Sequence, residues 1–170
     1  MARVRGDGRL LMTMRSIAGG QFFSHSTDGG ESWTRPALSP LRGTCSPAAI
    51  QRIPGTDDVL AIWTYGYLGR TPLCSAISSD GGETWCSPEP TALAGTAAPV
   101  SISRIPTTGH LLAIWNHNPG ASSRNPLTAA VSKDEAKTWE GFRNIEEGPG
   151  DAWAYPAVTW INDQAYLTYF

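Results

Sequence analysis

An internal repeat of about 52 residues constrains the fold of this chain more than any other feature. Residues 47–63 read PAAIQRIPGTDDVLAIW and residues 99–115 read PVSISRIPTTGHLLAIW, with ten identities in seventeen positions. A second motif recurs in step, as STDGGESW at 26–33, SSDGGETW at 78–85 and SKDEAKTW at 132–139. The chain has 170 residues and therefore holds roughly three and a third such units.

Each unit reads as four short strands separated by turn signals. Helical periodicity is scarce, and the most helix-friendly stretch, KDEAKTW, aligns with a turn motif of the other units. A period near 50 residues with four strands and an aromatic signature is typical of a β-propeller blade. We therefore predict an all-β fold with blades at about residues 1–45, 46–97 and 98–150, and a further blade that begins in 151–170.

The charge balance argues against a nucleic-acid or membrane partner. Thirteen Lys and Arg against 15 Asp and Glu leave a net charge of −2, which gives no electrostatic attraction to a polyanion. No window approaches 18 apolar residues, so we expect no transmembrane helix. Residues 6–9 (GDGR) break the first apolar run, so we expect no signal peptide, and the compartment is left open.

The cysteines and histidines show no pattern of a metal or cofactor site. Cys45, Cys74 and Cys86 cannot all pair with one another, which argues against a disulfide framework and leaves a single Cys74–Cys86 bridge as an alternative. The three histidines lack metal-ligand spacing, and there is no Gly-rich phosphate loop. We therefore expect neither a metal nor a cofactor.

The repeated Ser-x-Asp-x-Gly-x-x-Trp motif suits a β-hairpin turn. The Asp carboxylate accepts backbone N–H groups, the Gly supplies positive φ, and the Trp buries its ring between strands. A catalytic site needs asymmetry, so we interpret carboxylates that recur in every blade as structural. Ala136 replaces the Gly of the third turn, at a cost of about 1 kcal/mol if the backbone angle is kept. The motif residues are Ser26, Asp28, Gly30, Trp33, Ser78, Asp80, Gly82, Trp85, Ser132, Asp134 and Trp139.

Three such turns in register resemble the Asp-box, or BNR, repeats of the sialidases (neuraminidases), which are six-bladed β-propellers. The context is similar to bacterial exo-α-sialidases, because GDGRLLMTMRS precedes the first box, RNPLTAAVSKD surrounds the third and AYPAV follows it. The resemblance covers essentially the whole chain but only the C-terminal half of such an enzyme. It implies about three four-stranded blades. We expect a missing N-terminal half, or a second copy in a homodimer, to complete the ring.

Residues that differ between blades are the better candidates for a binding site. The aligned second strands LLMTMR, VLAIWT and LLAIWN place Arg15 opposite Thr64 and Asn116, and a cation near a propeller axis needs an anion. In sialidases an Arg after a DGRLL strand belongs to a triad that binds the sugar carboxylate, which implies that role for Arg15. Guanidinium suits it, because it binds carboxylate through two hydrogen bonds and keeps its charge.

The resemblance implies a second triad arginine eight residues before the last box, which is Arg124. Arg70 stands at the same distance before the second box and stays an alternative. Arg52 and Arg104 occur in RIP tripeptides, the context of the first triad arginine of sialidases. Because they repeat at one blade position, we expect them to be structural.

Tyr155 lies in AYPAVTW, at the position where sialidases place a nucleophilic tyrosine. Sialic acid carries a carboxylate on its anomeric carbon that repels an Asp or Glu nucleophile, whereas a phenol deprotonated by a neighbouring Glu avoids this repulsion. From the residues alone, an ordinary core tyrosine is the favoured interpretation, and it is the resemblance that favours the site. Glu146 and Glu147 lie in a GPG-flanked loop, and we expect them to be solvated.

The resemblance implies a retaining exo-α-sialidase, a glycosidase that acts on a sialic-acid-bearing glycan or a related acidic sugar. Tyr155 would attack the sugar, and Arg15 and Arg124 would bind its carboxylate. The Tyr-activating Glu, the acid/base Asp and the first triad Arg of sialidases lie upstream of the residues that match, so we expect little activity from this chain alone. The alternative is a non-catalytic carbohydrate-binding or scaffold propeller in which Tyr155 is a core residue.

Overall fold

A computed structural model of the chain describes residues 2–3, 8–43, 45–66, 73–95, 98–119 and 123–170. The described residues form β-strands and no helix, which confirms the all-β prediction, and none of them belongs to a helix that could span a membrane. The strands are β1 (Ala2–Arg3), β2 (Leu10–Met14), β3 (Gly20–Ser26), β4 (Ala37–Arg42), β5 (Ala49–Arg52), β6 (Val59–Thr64), β7 (Leu73–Ser78), β8 (Glu89–Pro90), β9 (Ser101–Arg104), β10 (Leu111–Trp115), β11 (Leu127–Ser132), β12 (Glu140–Glu146), β13 (Ala157–Ile161) and β14 (Gln164–Thr168).

Antiparallel pairing of consecutive strands produces three four-stranded meanders and one hairpin. The meanders are β1-β2-β3-β4, β5-β6-β7-β8 and β9-β10-β11-β12, and the hairpin is β13-β14. The register repeats too, since the first residue of each second strand lies opposite the motif serine: Leu10 opposite Ser26, Val59 opposite Ser78, and Leu111 opposite Ser132. The sequence alignment of the second strands is therefore also their spatial alignment.

The core lies between the meanders rather than within any one of them. All six residues of β6, VLAIWT, are buried, as expected of a strand covered on both faces. One apolar cluster joins the first and second sheets around Leu11 and Trp63, and another joins the second and third around Leu60 and Trp115. The second sheet thus buries one face against the first sheet and the other against the third.

Trp63 and Trp115 tie each sheet to the one before it. The indole Nε1 of Trp63 donates to the carbonyl of Arg42, at the end of β4, at 2.7 Å. Trp115 repeats the contact one blade later, with the carbonyl of Ala94 at 3.1 Å. Both rings are buried, and the hydrogen bond satisfies the polar edge of a large apolar side chain.

The β13–β14 hairpin stands at the open side of the stack. Residues of both of its strands are exposed, including Ile161 and Tyr166, which are 51% and 50% exposed. Trp160 anchors it to the third sheet, through a hydrogen bond from Nε1 to Ser103 Oγ at 2.6 Å. A two-stranded sheet buries little apolar area, so this side of the molecule has an uncovered surface.

The three cysteines are free thiols, so the Cys74–Cys86 bridge is not formed. The backbone N–H of Cys86 bonds to the carbonyl of Ile77 at 3.0 Å, and Ile77 lies three residues further along β7 than Cys74. That interval corresponds to about 10 Å along a strand, which exceeds the Cα separation that a disulfide spans.

Candidate functional site

The meander topology sends the connections to two opposite ends of the sheets. Connections between the third and fourth strands share one end, whereas connections between the second and third strands and from one sheet to the next share the other. The turns at 26–33, 78–85 and 132–139 define the first, which we call the Asp-box end. Arg15, Arg124 and Tyr155 all lie in connections at the second, which we call the opposite end.

At the Asp-box end, each motif aspartate is bonded within its own turn. Asp80 accepts hydrogen bonds from the Ser78 hydroxyl at 2.7 Å and from the backbone N–H groups of Glu83 and Thr84 at 3.0 and 2.9 Å. The hydroxyl of Ser78 in turn accepts the N–H of Gly82 at 2.7 Å. The carboxylate therefore fixes the turn.

The same network surrounds Asp28 and Asp134. In all three turns, hydrogen bonds from the hydroxyl and backbone N–H of the residue four positions later lower the pKa of the aspartate. Trp139 is buried, as expected for the motif tryptophans, whereas Trp33 and Trp85 are only half-buried. Each of those two donates from Nε1 to a carbonyl of its own turn, at 2.9 and 3.0 Å.

The third turn reaches the left-handed backbone region without glycine. Glu135 and Ala136 have φ of 57° and 69°, where the other turns have glycine pairs. Ala136 therefore keeps the glycine-like angle, the case in which a cost of about 1 kcal/mol is expected, and the residue is 1% exposed within the core. Burial of its methyl group offsets part of the strain of the angle.

The two RIP arginines belong to the framework. Arg104 binds Glu135 through two hydrogen bonds, at 3.0 and 2.5 Å, and its Nε donates to the carbonyl of Arg52 at 2.7 Å. Arg52 pairs with Asp57 at 2.6 Å. Both arginines are held by contacts at the Asp-box end, consistent with the structural role that their repetition predicts.

At the opposite end, the structure brings Arg124 and Tyr155 together. The guanidinium carbon of Arg124 lies 5.2 Å from the centroid of the Tyr155 ring, within the range of a cation–π contact. The ring of Phe170 stacks on Tyr155, with centroids 5.2 Å and planes 9° apart. Tyr155 is 42% exposed, so it is not placed in the core as the alternative interpretation required.

The backbone around Tyr155 is strained and held from both sides. Tyr155 has a φ of 54°, which is rare for a bulky side chain and persists only where neighbours fix it. Ala154 and Phe170 exchange backbone hydrogen bonds, at 2.7 and 3.2 Å, and Ala154 and Pro156 are buried. The segment that presents the phenol is therefore fixed by its flanking residues.

The other predicted arginines lie apart from this pair. Arg15 is exposed at the end of β2, and within the described chain no hydrogen bond or ring contact joins it to Arg124 or Tyr155. Arg70, the alternative to Arg124, lies outside the described residues. Arg15 and Arg124 thus share one end of the sheets without touching.

Glu146 and Glu147 have other partners than Tyr155. Glu146, which is half-buried, accepts the hydroxyl of Tyr169, and this bond raises the pKa of the Tyr169 phenol. Glu147 is exposed and accepts from the Asn144 amide at 2.7 Å. The expected solvation holds for Glu147 only. Among the described residues, no three His, Cys, Asp or Glu side chains are grouped to hold a metal ion.

The family model of the BNR repeat-like domain matches residues 43–167, which is most of the chain. This chain belongs to the BNR repeat-like family. A search of curated proteins found no match.

Solved structures of sialidases are similar to this BNR repeat-like chain. The NanB sialidase of Streptococcus pneumoniae matches with a TM-score of 0.69 at 18% identity, over 92% of this chain and 24% of NanB. A leech intramolecular trans-sialidase complexed with 2,7-anhydro-Neu5Ac matches with a TM-score of 0.70 at 17% identity, over 99% of this chain and 27% of that one. A protein of unknown function from Dyadobacter fermentans matches with a TM-score of 0.62 at 20% identity, over 96% of this chain and 54% of that one.

These matches confirm the predicted sialidase-type β-propeller fold and the resemblance on which it rested. The chain spans about a quarter of the length of the two sialidases. Its three meanders and its hairpin are therefore part of a propeller.

Two residues of the BNR repeat-like chain at the opposite end were not predicted. Asn116 is buried, and its amide reaches the carbonyls of Arg124 and Trp153 at 2.8 and 2.9 Å. Its signal is present in the sequence, since it shares a register position with Arg15. Phe170 carries no such signal, because its stacking on Tyr155 depends on the return of the β13–β14 hairpin.

Proposed function

We propose that this chain contributes the nucleophile, Tyr155, and two carboxylate-binding arginines, Arg15 and Arg124, to a retaining glycoside hydrolase of the sialidase type. The proposed substrate class is a sialic-acid-bearing glycan or a related acidic sugar. The observation that supports the proposal is the 5.2 Å contact between the Arg124 guanidinium and the Tyr155 ring at an exposed, unrepeated end of the sheets. Arg15 lies at the same end with an exposed side chain.

The chemistry follows from the charge of the substrate. Arg124 would donate two parallel N–H groups to the sugar carboxylate, and its charge would lie beside the ring on whose oxygen negative charge develops. The phenol proton leaves to a base as the oxygen bonds to the anomeric carbon, and the glycosidic electron pair departs with the leaving oxygen, which takes up a proton from an acid. Water then replaces the tyrosine, so the configuration is retained.

This chain has no assigned residue for the base, for the acid or for a third carboxylate-binding arginine. We therefore expect the chain alone to bind an acidic sugar and to hydrolyse little. A second copy, or further blades of a longer protein, would complete the ring and cover the exposed β13–β14 hairpin. Light scattering tests the first arrangement, which predicts twice the 18.2 kDa mass of one chain; a monomer contradicts it.

Binding of N-acetylneuraminic acid tests the site directly. We expect the sugar to raise the melting temperature, and Arg124→Ala to weaken binding by about tenfold or more, because charge-assisted hydrogen bonds are lost. Arg143→Ala is the matched control, since Arg143 is exposed on β12. Calorimetry gives the two dissociation constants. Unchanged melting of the wild-type chain at millimolar sugar contradicts the proposal.

The second candidate function is carbohydrate binding without catalysis. The stacked rings of Tyr155 and Phe170 favour it, because they present an aromatic surface at the exposed end. Tyr155→Phe separates the two functions in the ring-completed assembly. Cleavage of a fluorogenic sialoside that this variant abolishes supports the hydrolase, whereas sugar binding with no cleavage by the wild-type assembly supports the binding function.

A further inference from the structure

We infer that Asn116 is a positioning residue that holds the segments of Arg124 and Tyr155 at a fixed distance from each other. Its effect on the binding of a sugar rests on the proposed function. Asn116 contacts Arg124 and Trp153 through their backbone carbonyls. It acts through the backbone of the two connections that carry the site. These are the β10–β11 connection, which holds Arg124, and the β12–β13 connection, which holds Tyr155.

The side-chain amide of Asn116 bridges these two connections. Its Nδ2 lies 2.8 Å from the carbonyl oxygen of Arg124 and 3.1 Å from that of Pro126, both in the first connection. It also lies 2.9 Å from the carbonyl oxygen of Trp153, in the second. The backbone N–H of Trp153 donates back to the Arg124 carbonyl at 3.0 Å. One buried amide group thus fixes the backbone of both connections.

The bridge acts on the residues that form the cation–π contact. The Arg124 carbonyl receives two hydrogen bonds, so the start of its side chain cannot shift without losing them. Tyr155 follows Trp153 by two residues and is held at positive φ. The distance between guanidinium and phenol is therefore set by the backbone that Asn116 joins.

The register position of Asn116 holds a different residue in each of the three sheets. In the second sheet the same register position holds Thr64, and in the first sheet it holds Arg15, which is exposed. Threonine has one donor hydrogen where the asparagine amide has two, so it cannot serve carbonyls of both connections. Asn125 reinforces the bridge, since its own amide donates to the carbonyl of Gly148 in the second connection.

Side-chain NMR of Arg124 in the full chain tests the inference without any ligand. The Tyr155 ring shifts the Arg124 Nε–H resonance, and Tyr155→Leu defines its position without the ring. We expect Asn116→Thr, which installs the residue of the second sheet, to move the Arg124 resonance toward that of Tyr155→Leu. Gln21→Leu is the control, because Gln21 is also fully buried and donates to a carbonyl, that of Ser46 at 2.7 Å, but touches neither segment.

A folded Asn116→Thr with the wild-type Arg124 resonance overturns the inference, as does an equal change in Gln21→Leu. If Asn116→Thr does not fold, Asn116→Ser is measured instead, and failure of both to fold overturns it as well, because Asn116 then serves overall stability. Weaker binding of N-acetylneuraminic acid by Asn116→Thr, by about tenfold, extends the inference to the ligand. A wild-type chain that binds no sugar contradicts the proposed function and leaves the resonance test intact.

Discussion

The two ends of the sheets are built in different ways from the same strands. At the Asp-box end, the same serine, aspartate and backbone contacts recur in three turns. At the opposite end, one register position holds Arg15, Thr64 and Asn116 in turn, and the β10–β11 connection brings a cation, Arg124, to the exposed Tyr155. Repetition thus accompanies contacts that stabilise the framework, and departure from repetition accompanies side chains that are available for recognition. Four substitutions test this division, in order of decreasing effect.

Arg104→Met is expected to have the largest effect. The substitution removes the two hydrogen bonds from Arg104 to Glu135 and the one to the Arg52 carbonyl. We expect the free energy of unfolding to fall by about 2 kcal/mol. This is less than for a fully buried pair, because the two side chains are 15% and 28% exposed. Urea denaturation measures it. Arg52→Met, whose ion pair is more exposed, should cost less, and the reverse order contradicts the prediction.

Gly82→Ala should lower the free energy of unfolding by about 1–2 kcal/mol, because the new Cβ takes a left-handed angle. The Cβ would also lie 3.1 Å from the Leu11 side chain. The converse substitution, Ala136→Gly, relieves similar strain but removes a buried methyl group. The change in the free energy of unfolding should therefore be near zero. Thermal unfolding of the pair gives both values. Equal destabilisation by the two would show that the third turn is not equivalent to the second.

Asp80→Asn should cost about 1 kcal/mol at neutral pH, the size typical of a side chain that caps backbone N–H groups. The pKa of Asp80 is lowered in the folded state, so its contribution is present above the unfolded pKa of about 3.9 and is lost as the pH falls below it. Unfolding at several pH values between neutral and acid should show a shallower acid loss for Asp80→Asn than for wild type. Parallel curves would be the contrary result.

Arg15→Ala should change the free energy of unfolding least, within about 0.5 kcal/mol, because the side chain is exposed and away from the sheet interfaces. Its effect should instead show in sugar binding. Chemical denaturation of Arg15→Ala and Asp80→Asn under the same conditions compares their free energies of unfolding. A greater loss of stability from Arg15→Ala than from Asp80→Asn would break the division between the two ends.

The sequence predicted most of the repeated strands and turns, and few of the contacts between the connections at the opposite end. The all-β fold and the aspartate-centred turns follow from local patterns and a fixed period, and the turn around Ala136 keeps the same form although alanine replaces its glycine. The bonds of Asn116 to two connections and the stacking of Phe170 on Tyr155 depend on loop conformations that no period encodes. The pairing of Arg104 with Glu135 spans 31 residues and was equally invisible, although the structural role of Arg104 was not.

The indoles of Trp63 and Trp115 bond to residues earlier in the chain, which gives the sheets an order of assembly. Each indole needs a carbonyl that precedes it in the chain, that of Arg42 at the end of β4 in one case and that of Ala94, in the connection after β8, in the other. A nascent chain emerges N-terminus first, so each acceptor is already in place when its tryptophan leaves the ribosome. Neighbour-only contacts allow a repeat array to grow from a formed unit. Synthesis of this chain therefore delivers its sheets in the order in which they can dock.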